Sequence, residues 1–152
     1  MTLSSATRTP GISHFTPTQL LRTAHLFARD PDLADLVGLD PTERRRHELA
    51  STRDLQMWLI SWPVGATTGW HDHGPSNGAF VVVRGALTER TRAGGVGEEE
   101  FLPSQGSAFA SPHVHEVINL GGGPAFSVHA YSPALADQTS YDLVDGHLVA
   151  RD

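Results

Sequence analysis

The chain has 152 residues, 39% hydrophobic and 18% charged, with a net charge of -6 and no cysteine. That length suits one domain with a single core. The acidic balance argues against a nucleic-acid or anionic-membrane surface, and the missing thiols exclude disulfides and thiolate metal sites.

In chain order, residues 1–13 are small, polar and aperiodic, and read as a flexible arm. They lack the apolar core of a signal peptide, and no later run approaches the roughly 20 apolar residues that span a bilayer. The expected compartment is the cytoplasm. Residues 14–50 carry helix signals, with a capping residue before proline at Thr16-Pro17, Asp30-Pro31 and Asp40-Pro41. Thr16 with Gln19 and Asp40 with Glu43 have capping-box spacing, and Leu20, Ala24, Phe27 and Ala28 form an apolar stripe. Arg44-Arg45-Arg46 reads as a solvated helix face.

From residue 51 onward the texture is β-rich. Strands are predicted at 55–62, 79–84, 86–92, 107–111, 114–120 and 125–131. Residues 141–144 and 147–150 flank Asp145-Gly146, a type I′ hairpin signal. Residues 92–97 read as a surface loop, and Glu98-Glu99-Glu100 as an exposed edge. The predicted fold is mainly β, a small antiparallel barrel preceded by helices, all in one domain over residues 1–152.

Nine histidines are many for this length, and His71, His73, His113 and His115 fall in one stretch. On an extended segment His71 and His73 share a face, with Asp72 on the other. Two imidazoles meeting inside a barrel suit a metal, and without thiols that metal is a borderline one such as iron, zinc, nickel, copper or manganese. His113 and His115 share a parity, so either satisfies the pattern as third ligand. His129 alone would read as a buried core histidine and Arg53 as a surface residue. Ser127 lies mid-strand without a nucleophile elbow, which argues against a hydrolase. Trp58, Trp62 and Trp70 read as core or pocket wall; His14, His25, His47 and His147 read as surface or structural positions.

Gly65, His71-x-His73, Gly78 and Gly85, followed by Gly106, Pro112, His115 and Asn119, resemble the two motifs of the cupin superfamily. The carboxylate ligand of the general cupin pattern is missing, because Ser76-Asn77-Gly78 stands in its place. More specifically, several stretches resemble the cysteine dioxygenase family of thiol dioxygenases. They are residues 52–55, His71-Asp72-His73, 84–89, 115–119, and Ser127-Val128-His129-Ala130-Tyr131-Ser132-Pro133.

The resemblance implies a cupin fold and non-haem Fe(II) on His71, His73 and His115. It implies that Arg53 holds the substrate carboxylate, and that Tyr131 lies beside the substrate, oriented by His129 with Ser127 behind it. The reaction implied is oxidation of a thiol by O2 to its sulfinic acid. Arg53 favours L-cysteine, as in cysteine catabolism, over 3-mercaptopropionate; a non-catalytic metal-binding cupin is the other alternative. The expected partners are the small thiol and O2, with neither nucleic acid nor membrane, and a monomer as the working state. Mammalian members carry a cysteine crosslinked to the active-site tyrosine. Gly78 matches that position, so no crosslink forms, and Gly78 is expected to leave extra room beside the metal.

Overall fold

The structure is a computed structural model that describes residues 14–92 and 95–152. The predicted arm at 1–13 and residues 93–94 of the predicted loop lie outside the described residues. Helix α1 (Pro17–Ala28) starts where its cap requires. The Thr16 hydroxyl accepts from the Gln19 N–H at 3.2 Å, and the Gln19 side chain accepts from the Thr16 N–H at 2.9 Å. Asp30 caps a 3-10 turn at Pro31–Leu33 that runs into α2 (Ala34–Val37).

The third predicted helix does not form. The chain beyond Asp40-Pro41 bends at Thr42 and Glu43 and is extended from Arg45, where β1 (Arg45–Ser51) pairs antiparallel with β2 (Gln56–Trp62). A proline after a cap permits a helix start, but a short helix holds only if it buries an apolar face. The Arg44–His47 stretch has none, whereas pairing with β2 satisfies its backbone. The β region therefore begins at Arg45, six residues before the predicted boundary, and the arginine run leads into a strand rather than forming a helix face.

The remaining strands are β3 (Trp70–His71), β4 (Asn77–Arg84), β5 (Leu87–Arg92), β6 (Val96–Phe101), β7 (Gly106–Phe109), β8 (His115–Ile118), β9 (Ala125–Ser132), β10 (Ser140–Val144) and β11 (His147–Ala150). They form two antiparallel sheets, ordered β1-β2-β9-β4-β7 and β11-β10-β3-β8-β5-β6. Asp145 and Gly146 both have positive φ, as the type I′ turn requires. Glu98, Glu99 and Glu100 lie exposed on β6, at the edge of the second sheet, as expected.

Strand alternation sorts the core into two layers. Trp58, Ile60 and Trp62 of β2, with Phe80 and Val82 of β4, face the second sheet and pack with Leu87, Phe101 and Val117. Met57, Leu59, Val81, Phe126 and Val128 face outward and are covered by Leu20 and Ala24 of α1. Covering both faces of the first sheet explains why β2, β4 and β9 are buried along most of their length rather than at alternate residues. Among the described residues no helix is long and apolar enough to cross a membrane.

Gly85, between β4 and β5, has φ of +77°, and a Cβ there would lie 2.4 Å from the Pro124 carbonyl oxygen. Gly85→Ala is expected to destabilise the fold by about 2 kcal/mol or more. Urea denaturation checks this; an unchanged midpoint would show that the turn can shift.

Candidate metal centre

β3 and β8 pair through a single register contact, His71 opposite His115. This places two imidazoles side by side on the inner face of the second sheet. The chain leaves β3 at once, and His73 turns in from the following loop. The three rings lie 4.7–4.8 Å apart, centroid to centroid, and their donor nitrogens lie within 4.8 Å of one another. All three are buried, with His73 at 1% exposure and His115 at 2%. Asp72 points away, as alternation requires. It accepts hydrogen bonds from the Gly74 and Thr139 N–H groups and from the Tyr141 hydroxyl, which anchors the loop carrying His73.

Hydrogen bonds determine which nitrogen each ring presents. His71 donates its Nδ1–H to the Gly69 carbonyl at 2.9 Å, and His115 donates its Nδ1–H to Glu89 Oε2 at 2.7 Å. Both then aim the Nε2 lone pair inward. His73 Nε2 lies 3.1 Å from His115 Nε2. Two ligand bonds of about 2.0–2.1 Å meeting near a right angle would separate their nitrogens by about 3 Å. The donor set therefore fits a divalent borderline metal.

Burial, reinforced by the neighbouring rings, lowers the pKa of His71 to about 4 and that of His73 to about 2. Burial also lowers that of His115, against the opposing pull of Glu89. All three are neutral at physiological pH, the form that binds metal. For Glu89, burial raises the pKa, but the adjoining His113 and His115 imidazoles, the latter hydrogen-bonded to it, outweigh this and hold it at about 2.

His113 does not join the three-ring set. Its Nε2 lies 3.5 Å from Glu89, and its ring stacks on Phe109 at 4.3 Å. Glu89, His113 and His115 form a separate donor group that shares His115. Asn119 has a structural place: it donates to the Trp62 and Gly123 carbonyls and accepts from the Gly121 N–H.

His71 and His115 open onto a cavity of ≈ 140 Å³ between the sheets. Ser127, His129 and Tyr131 share the inner face of β9, and the Trp62 indole completes a chain with them. Trp62 Nε1–H donates to Ser127 Oγ at 2.8 Å, and Ser127 Oγ lies 2.8 Å from His129 Nε2. Because the indole can only donate, the serine proton goes to His129 Nε2. That leaves Nδ1–H facing the Tyr131 oxygen, over a longer 3.4 Å, so the phenolic proton is free to point into the cavity. Burial pushes the Tyr131 pKa up to about 12 and that of His129 well below its usual value. The phenol stays protonated and the imidazole neutral.

A family profile described as cysteine dioxygenase type I matches residues 26–143. The chain belongs to the cysteine dioxygenase type I family. Solved structures agree on the fold. A conserved protein with a double-stranded β-helix domain from Klebsiella pneumoniae is 19% identical, with a TM-score of 0.59, covering 72% of this chain and 94% of its own. A Bacillus halodurans protein is 21% identical, with a TM-score of 0.59, covering 72% and 87%. An oxalate oxidase bound to glycolate is 16% identical, with a TM-score of 0.55, covering 63% and 54%.

Two expectations drawn from the resemblance to this family need revision. Arg53 lies in the turn between β1 and β2, its side chain 69% exposed and 3.6 Å from Asp54, and it does not line the cavity. Arg46 of β1 and Arg44 just before it line the cavity instead, while Arg45 lies against the opposite side of the sheet. Sequence reading missed them once the run had been assigned to a helix. Gly78 leaves no extra room either. It pairs with both Phe109 and Tyr131, and a Cβ on it would lie 2.3 Å from the Phe109 ring. That ring fills the space and packs 4.6 Å from His73. Glu89 lies within a matched stretch, yet nothing in its spacing marks it as the partner of His115.

Glu89→Gln is expected to weaken metal binding about 10–100-fold, measured by competition with a chelator; an unchanged affinity would remove Glu89 from the site. The metal-free protein should also lose stability in mild acid. Unfolded histidines take up protons below about pH 6.5, whereas folded His71 resists protonation down to about 4. The unfolded state then binds more protons, so stability falls as pH drops through this window, by on the order of 3 kcal/mol for His71 alone. A flat denaturation midpoint between pH 7 and 5 would contradict it.

Proposed function

We propose that this single cupin domain is a thiol dioxygenase, with non-haem iron(II) held by His71, His73 and His115. The observation that carries the reading is a set of three converging neutral imidazoles, of which His71 and His115 share one small cavity with His129 and Tyr131 of the Tyr131–His129–Ser127 chain. Without a carboxylate ligand the metal keeps its full charge, which favours binding a thiol as thiolate. When bound, iron supplies the redox chemistry that lets O2 react with that sulfur. The balance is R–SH + O2 → R–SO2H, with both oxygen atoms ending on sulfur.

The protein's own groups bind and orient. Tyr131, kept protonated by burial, donates a hydrogen bond toward the reacting atoms. His129, fixed by Ser127 and Trp62, holds the phenol in place. Ile60, Trp58 and Val117 make the apolar wall that limits water. A guanidinium of Arg44 or Arg46 takes the substrate carboxylate in the role first expected of Arg53. The substrate is thus a small thiol acid. L-cysteine is the one suggested by the family's name. A thiol acid without an amine, such as 3-mercaptopropionate, is favoured by a different observation. Among the described residues the cavity has no carboxylate to meet an ammonium group.

Oxygen uptake by the Fe(II)-loaded protein over a panel of small thiols, with the sulfinate identified, tests the reading. A protein that holds iron yet consumes no oxygen with any thiol would be a non-catalytic metal-binding cupin. His73→Ala should abolish iron retention and turnover together. Tyr131→Phe should retain iron and slow turnover by about 10²-fold; an unchanged rate would remove Tyr131 from the mechanism.

A further inference from the structure

β1 brings two arginines, not one, to the same cavity. Arg46 lies on β1 and Arg44 immediately before it, and both line the cavity. Each is held over an indole on β2. The Arg46 guanidinium carbon is 4.5 Å from the Trp58 ring centroid, and that of Arg44 is 5.6 Å from Trp62. These contacts position the cations while leaving their hydrogen-bonding edges available. Among the described residues neither forms an ion pair. The other polar groups of the lining, Thr68, Gln138 and Ser140, are neutral, and the histidines are uncharged. Two like charges at one small mouth, with no carboxylate in its lining among the described residues, call for two negative charges from the ligand. A single carboxylate saturates one guanidinium fork and leaves the second cation uncompensated.

Building on the thiol dioxygenase reading, we infer that the preferred substrate is a small thiol bearing two carboxylates, one for Arg44 and one for Arg46. The class is a mercapto-dicarboxylate, whose oxidation yields a sulfino-dicarboxylate by the same balance of one thiol and one O2. An aminothiol acid fits less well, because its ammonium would lie beside two guanidiniums.

The test compares mercaptosuccinate, 3-mercaptopropionate and L-cysteine as substrates of the Fe(II)-loaded protein. It also compares succinate with propionate as ligands, by calorimetry, in the wild type and in Arg44→Gln and Arg46→Gln. The expected result is a kcat/KM for mercaptosuccinate about ten- to hundredfold above that of either monocarboxylate. Succinate should bind more tightly than propionate, and each substitution should erase most of both advantages. Oxidation of the monocarboxylate thiols as fast as mercaptosuccinate, or an advantage that survives both substitutions, would overturn the inference and leave the dioxygenase reading standing. Oxidation of no thiol at all would overturn both.

Discussion

Glu89 reaches the buried ring of His115 at 2.7 Å, and this contact orders the centre of the protein. A carboxylate with little exposure is costly unless it is paired, and here the His115 hydrogen bond pairs it, with His113 3.5 Å away. Because Glu89 accepts at Nδ1, His115 must present Nε2 inward, where it faces His73. The sheet register opposite His71 brings the third ring alongside. Removing any of these constraints would let an imidazole rotate, and the donor set would lose its convergence.

The same economy recurs on the facing sheet. Trp62 is a core residue, yet its one polar atom starts the chain that runs through Ser127 and His129 to Tyr131. A donor with no acceptor capacity gives the chain a direction, so the tyrosine proton faces the cavity rather than the protein. Core packing and site chemistry therefore share residues. Phe109 is a second case, filling the space above Gly78 while stacking beside His73 and His113.

Charge distribution completes the picture. The chain as a whole is acidic, but its cavity is built from neutral histidines and two arginines. An anionic ligand gains from that local field whatever the net charge, because the nearest charges act on it most strongly. The overall charge bears on solubility and non-specific partners; the local charge bears on the substrate.

The sequence by itself determined the cupin class, most of the strands, the capping box of α1 and the histidine, serine and tyrosine positions. Those signals are local: a period of two, a cap and its partner three residues on, glycines at turns. The tertiary structure decided the rest. Which arginines enter the cavity depended on the chain from Arg45 onward being a strand, and that followed from pairing with β2, which the proline cap at Asp40-Pro41 could not report. Whether Gly78 left room depended on an aromatic ring brought over by β7. Glu89 and Trp62 acquired their partners only across the sheets, since hydrogen bonds between distant residues leave no periodic trace in the chain.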